Sequence, residues 1–176
     1  MTATTVLILS GSLRAAAMTT QIASVAMMAA PAGVATTLAE NLNALPFYNQ
    51  DLDTDDPPAA VVALRRRVVG ADAVLFISPA NNGSVSAVLK NAIDWLSRPR
   101  NAAALQDKPV ALLVTGHSTD TVEAHLDHIL TRAGATVVPS ADRALSLRSF
   151  DGKQPADVPT VIDAVTSALT ALAGAA

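Results

Sequence analysis

Short apolar runs alternate along the chain with longer stretches in which apolar positions recur every three to four residues. The short runs are Thr4–Ser10, Ala35–Glu40, Ala73–Ser78, Val110–Thr115 and Thr136–Val138. They are β-branched or leucine-rich and apolar on both faces, the pattern of strands covered from two sides in a parallel sheet. The helix-period stretches are Met18–Ala30, Pro58–Val69, Ala87–Leu96, Val122–Ala133 and Val158–Leu172. Punctuation agrees with them: Pro31 follows the first, Pro57 and Pro58 open the second, Gly70 closes it and Gly134 closes the fourth. Five strands alternating with five helices predict an α/β layer fold with right-handed crossovers. No repeat or linker divides it, so residues 1–176 are expected to form a single domain.

Composition narrows the classes. A chain of 176 residues, 51% of them hydrophobic and 15% charged, suits one core. Such a length buries about two thirds of its extended surface without disulfides or metals. The absence of cysteine excludes a disulfide scaffold, a thiolate metal site, a cysteine nucleophile and Fe–S ligation. Twelve Lys and Arg against fifteen Asp and Glu give a net charge of −3, which leaves no basic surface for general nucleic-acid binding. The aromatics Phe47, Tyr48, Phe76, Trp95 and Phe150 are too few for a base-stacking platform. Although 36 residues are alanine, no window approaches the ~20 uninterrupted apolar residues of a membrane span. The run Val6–Leu9 is also too short for a signal peptide. The expectation is a soluble, cytoplasmic protein that engages neither membrane nor nucleic acid.

Open parallel sheets bind ligands at the carboxyl ends of their strands, where strand order reverses. The loops after Leu9, Ile77 and Val114 are therefore the places to look for chemistry. The first, Ser10-Gly11-Ser12-Leu13-Arg14 through Thr19 and Thr20, runs straight into a helix. Its hydroxyls, the forked cation of Arg14 and the free N–H groups of a helix start outline a phosphate site. It lacks the lysine of a Walker loop and the later glycines of a dinucleotide fingerprint, and it equally suits a plain strand-to-helix turn. The second, Pro79-Ala80-Asn81-Asn82-Gly83, carries an Asn-Gly turn that tolerates positive φ. It would present main-chain groups to a planar heteroaromatic ring, or serve as an ordinary turn. In the third, Thr115-Gly116-His117-Ser118-Thr119-Asp120, Thr119 or Asp120 is a plausible N-cap. His117 sits where a ligand edge would lie, though loop histidines are commonly just solvated.

Together these residues resemble the NADPH-dependent FMN reductase family. The resemblance is carried by Gly11-Ser12-Leu13-Arg14, Leu45-Pro46-Phe47-Tyr48-Asn49-Gln50-Asp51-Leu52, Ala71-Asp72-Ala73 and Gly83-Ser84. Its most specific part is Leu89-Lys90-Asn91-Ala92-Ile93-Asp94-Trp95, continued by Leu96-Ser97-Arg98-Pro99 and Asp107-Lys108-Pro109-Val110. The resemblance implies a three-layer flavodoxin-like fold with a five-stranded parallel sheet in the order 2-1-3-4-5, assembled as a homodimer or homotetramer. It implies FMN as cofactor, NADPH or NADH as electron donor, and flavins, quinones or similar small molecules as electron acceptors. The cofactor-binding residues it implies are Ser10, Ser12, Arg14, Thr19, Thr20, Pro79, Ala80, Asn81, Asn82, Gly83, Thr115, Gly116 and His117. No catalytic side chain is expected, because the flavin carries the redox chemistry and the protein supplies position and electrostatics. The chain departs from the family pattern at Ala17 and Thr19, where members place Ser and Asn, and at Ala80 and Asn81, where they place Glu and Tyr. A paralogue with weakened or lost FMN binding, acting as a dimeric binding or regulatory protein, is the alternative reading.

Other clusters read more plainly. Asp51, Asp53, Asp55 and Asp56 resemble a calcium loop, but Pro57 and Val62 occupy its seventh and twelfth positions, so they are read as a solvated loop before a helix. His125 and His128 share a helix without further histidine or cysteine partners beside them. Arg65-Arg66-Arg67 is read as a solvated face or part of a subunit contact, Trp95 as packing or a subunit contact, and Lys90 with Asp94 as an intrahelical pair.

Overall fold

Strands apolar on both faces require a helical layer on each side, and the chain builds both. A computed structural model describes residues 2–141 and 143–176. Its strands are β1 (Thr4–Ser10), β2 (Val34–Leu38), β3 (Ala73–Pro79), β4 (Pro109–Gly116), β5 (Thr136–Val137) and β6 (Ala144–Ser146). Its helices are α1 (Met18–Met28), α2 (Ala59–Gly70), α3 (Ala87–Leu96), α4 (Asp120–Arg132) and α5 (Pro159–Ala175). The sheet is parallel throughout and ordered β2-β1-β3-β4-β5, the flavodoxin-like order.

Successive strand residues point to opposite faces, and the two cores divide accordingly. Leu7, Leu9, Val74, Phe76, Leu112 and Val114 pack with Leu64 of α2, Leu89, Ile93 and Trp95 of α3, and Leu126 of α4. Val6, Ile8, Leu75, Ile77, Ala111 and Leu113 pack with Ile22 and Val25 of α1 and with Val165 and Leu169 of α5. Each fully buried Leu, Ile or Val contributes about 1.5–3 kcal/mol. The helices α1 and α3, which follow neighbouring strands β1 and β3, thus lie on opposite faces. The loops leading to them diverge, and a crevice opens at the carboxyl end of the sheet.

The short strand β6 was not expected from the sequence. It pairs with Val114–Gly116 of β4, whereas β5 pairs with Pro109–Val110 further down the same edge. One edge strand has in effect been broken in two, with Pro139, which has no N–H to donate, just after β5. Arg143 staples the break, giving Nη1 to Asp127 Oδ2 at 2.9 Å and Nη2 to the Val138 carbonyl at 2.9 Å.

The block Leu89–Trp95 has a structural explanation. Asn91 accepts the Tyr48 N–H at 2.8 Å and donates to the Pro46 carbonyl at 3.0 Å. Trp95 Nε1 donates to the same carbonyl at 2.8 Å, and its ring meets Tyr48 edge to face at 5.0 Å. Trp95 is completely buried within the chain and so serves packing. Arg65 lies over the Trp95 ring at 5.9 Å and pairs with Asp53 at 3.0 Å, while Arg67 donates to the Leu38 carbonyl at 2.6 Å. Of the arginine run only Arg66 is exposed; the other two are half-buried anchors of α2. Lys90 and Asp94 pair at 2.6 Å, as their spacing implies.

Candidate functional site

The cleft at the carboxyl edge is built from three loops. After β1, Gly11 turns the chain and donates its N–H to the Ile77 carbonyl at 2.8 Å. A Cβ at Gly11 would lie 2.6 Å from Ser86 Oγ and 2.8 Å from Pro79 Cδ, and one at Gly116 would lie 2.5 Å from Ala80 Cβ. These two glycines let the loops approach closely enough to share one cleft. The Ala80 N–H donates to the Thr115 carbonyl at 2.8 Å and locks the second loop onto the third. The resulting cleft holds about 440 Å³ and is lined by Ser12, Arg14, Ala17, Thr19, Pro79–Asn81, Thr115–His117 and Leu147, among others.

Its electrostatics have one sign. Among the described residues, Arg14 is the only formally charged side chain on the lining, and none of them brings a carboxylate to the cleft. Arg14 is exposed, and among the described residues its guanidinium makes no hydrogen bond or ion pair. Helix α1 starts beside it with Ala17 at the N-cap, no side-chain cap and no acidic residue in its first turn. Among the described residues, the N–H groups of Met18, Thr19 and Thr20 meet no acceptor. Free helix N–H groups and the helix dipole favour an anion, and a neighbouring guanidinium adds a forked donor. The hydroxyl of Ser10 donates to Thr19 Oγ1 at 3.2 Å, and Thr20 Oγ1 donates to the Arg14 carbonyl at 3.0 Å, which fixes the turn against the helix start.

Larger hollows are chemically less suited. One of about 640 Å³ along α4 is lined by Asp120, Glu123 and Asp127, which repel anions. Another of about 550 Å³ beside α2 sets Arg66 against Asp55, and its Arg65 is already neutralised by Asp53.

The structure brings together Ser12, Arg14, Thr19, Pro79, Ala80, Asn81, Thr115, Gly116 and His117 on this lining. It does not bring the remaining sequence-predicted positions to it. Ser10 and Thr20 line a neighbouring hollow. Asn82 and Gly83, at φ 50° and 75°, form the tip of a tight turn closed by the mutual hydrogen bonds of Asn81 and Ser84 at 3.0 and 2.9 Å. The N–H groups of Ala80 and Asn81 are therefore already spent, and this loop offers its Asn81 side chain and its carbonyls instead. Ser84 Oγ lies 3.3 Å from His125 Nδ1, which ties the turn to α4. Leu147 is a lining residue that the sequence did not reveal: it arrives with β6, and the only local signal is the short run Ala144-Leu145-Ser146.

A profile of the family described as NADPH-dependent FMN reductase matches residues 4–148, a span that contains all three loops, β6 and Leu147. The chain belongs to the NADPH-dependent FMN reductase family. Among similar proteins, an NAD(P)H-dependent FMN reductase of Pseudomonas aeruginosa is 40% identical over 108 residues, 61% of this chain and 57% of that one. An NADPH:quinone oxidoreductase of Arabidopsis thaliana is 48% identical over 77 residues, 43% of this chain and 38% of that one. The aligned segments thus span 38% and 57% of those two relatives. The solved structure of FerB, a flavoenzyme NAD(P)H:(acceptor) oxidoreductase from Paracoccus denitrificans, superposes with a TM-score of 0.71 at 26% identity. That superposition covers 94% of this chain and 98% of FerB.

The cleft of this family member fits the FMN that the family name implies. A dianionic phosphate matches Arg14 and the open start of α1. Thr115 Oγ1 is buried with no hydrogen-bond partner among the described residues, at a position on the lining. Leaving a hydroxyl in that state costs about 1–3 kcal/mol, which a polar ligand edge would relieve. Among the described residues no helix is long and apolar enough to cross a membrane.

Proposed function

We propose that residues 1–176 act as one FMN-dependent NAD(P)H oxidoreductase domain that reduces flavins, quinones or similar small acceptors by a ping-pong cycle. The observation that carries this reading is Arg14, without a side-chain partner among the described residues, beside the uncapped start of α1 in a cleft to which those residues bring no carboxylate. FMN, when bound, would supply the redox chemistry between the nicotinamide and the acceptor. The chain's own residues bind and orient. Arg14 and the N–H groups of Met18 and Thr19 hold the phosphate, with the hydroxyls of Ser12 and Thr19 beside them. Ala80, Asn81, Thr115 and His117 border the flat ring, and the paired loops of Ala80 and Gly116 keep that wall rigid. No side-chain nucleophile is required. The family match and the quinone- and FMN-reducing relatives support this reading over a flavin-free binding or regulatory protein, which is not favoured. As a homodimer or homotetramer in the cytoplasm, the protein would draw on NADPH or NADH and on small acceptors there.

Steady-state kinetics test the proposal. Initial rates over a grid of NADPH and a benzoquinone, with FMN present, are expected to give parallel double-reciprocal lines. Failure of either pyridine nucleotide to be oxidised in an FMN-dependent manner, with quinone or free flavin as acceptor, would overturn it.

A further inference from the structure

A second hollow meets the cleft at Ser12. It holds about 330 Å³, and its polar lining includes Ser12, Thr20, Glu40, Asn41 and Asn43, with Leu13 as an apolar cover. Glu40 follows the end of β2 at Leu38, so it leaves the sheet on the same carboxyl edge as the phosphate-binding turn. Glu40 is exposed and, among the described residues, has no hydrogen bond and no cation within 4.0 Å. Arg67, which shares a further hollow with Glu40, gives a guanidinium N–H to the Leu38 carbonyl at 2.6 Å. The side-chain amides of Asn41 and Asn43 are likewise without partners among the described residues, and no cation lines the 330 Å³ hollow.

This set matches one ligand chemistry. A carboxylate after the second strand accepts the paired hydroxyls of a ribose, and it repels a 2′-phosphate at the same place. Amide groups address the edge of a base, and Leu13 covers a flat face. In FAD such a nucleotide would continue from the flavin phosphate held by Arg14 and the start of α1, whereas in a pyridine nucleotide its phosphates would lie beside that one, toward Ser12. We infer that this hollow is an adenylate subsite, adjoining the phosphate site, in which Glu40 accepts hydrogen bonds from the ribose hydroxyls. The inference rests on the flavin reading of the main cleft. Two molecules bring an adenylate here: FAD, whose AMP half follows the flavin phosphate, and the pyridine nucleotide, whose ADP half lies beyond its nicotinamide.

Binding measurements on the purified chain and on Glu40→Gln separate these sources. FMN and FAD are titrated by fluorescence quenching; ADP-ribose and its 2′-phosphate are titrated calorimetrically onto FMN-saturated protein. Losing one charged hydrogen-bond acceptor should change affinity by about tenfold or more. FAD binding about tenfold tighter than FMN, with Glu40→Gln erasing the difference and leaving FMN unchanged, identifies the flavin dinucleotide. ADP-ribose preferred over its 2′-phosphate by about tenfold, with Glu40→Gln erasing that preference, identifies the pyridine nucleotide. The subsite is overturned if neither preference exists or if Glu40→Gln leaves the preference unchanged. Protein that binds FMN without either preference sinks this inference alone, whereas protein that binds no FMN sinks the flavin reading with it.

Discussion

At the scale of single residues, the site rests on a cation held ready and on glycines that permit contact. The Arg14 guanidinium has no partner among the described residues, so removing it should leave stability unchanged while weakening FMN. A hydrogen bond to a charged group is worth about 1.5–3 kcal/mol, which predicts roughly a tenfold to hundredfold loss of FMN affinity for Arg14→Ala. Titration of FMN into the variant, alongside a thermal melt, checks both halves; Arg14→Lys should recover only part, because the fork is lost. Gly116 is constrained differently. An alanine there sets two methyl carbons 2.5 Å apart, and neither belongs to a flexible side chain. Gly116→Ala should therefore push the second and third loops apart, cost about 1–3 kcal/mol in chemical denaturation and weaken FMN as well. Ala17 stands at an N-cap with no side-chain acceptor of its own. Ala17→Ser should stabilise α1 by about 0.5–2 kcal/mol, measured by thermal melting.

At the scale of elements, the sequence was readable wherever local chemistry and burial agreed. The strand Thr4–Ser10 and the helix Ala87–Leu96 begin and end where their apolar runs do, because Ser10 meets Gly11 and Ser86 caps the helix by accepting the Leu89 N–H at 3.3 Å. It was unreadable where tertiary pairing alone makes the element. Ala144–Ser146 has no strand-like length of its own; its pairing with β4 creates β6, and with it the position of Leu147. The same holds within the site. Arg14, Pro79 and His117 could be placed at strand ends from spacing, but the turn that points Asn82 and Gly83 away depends on hydrogen bonds between Asn81 and Ser84. The arginine run deceived for a related reason: a half-buried Asp53, a Trp95 ring and the Leu38 carbonyl take up two of its three charges. Asn91 shows what the family-like block of α3 does, since its amide fastens residues 46–48 to the helix at both ends. Asn91→Ala should lower stability by about 1–3 kcal/mol in urea titration, yet leave FMN affinity unchanged because the cleft lies elsewhere.

At the scale of the whole molecule, the parallel order places reactive loops at one end of the sheet and structural ties at the other. At that other end the Asp72 carboxylate accepts the Thr5 N–H and hydroxyl, each at 2.7 Å, and these bonds hold its pKa below the usual 3.8, with Lys108 assisting. A carboxyl whose folded pKa is depressed contributes stability fully above its unfolded pKa and loses it as pH falls through the folded value. The protein should thus weaken as pH drops below about 4, and Asp72→Asn should flatten that acid limb while lowering stability at neutral pH, as read by melts across the range. At the opposite edge, Arg14, without a side-chain partner among the described residues, and the uncapped start of α1 offer a seat for a phosphorylated flavin. Fluorescence titration of FMN with the purified chain tests it most directly. Saturable quenching at one flavin per chain is expected, abolished or strongly weakened in Arg14→Ala. Flavin fluorescence that stays unchanged at millimolar protein, with no shift in melting temperature, would contradict it.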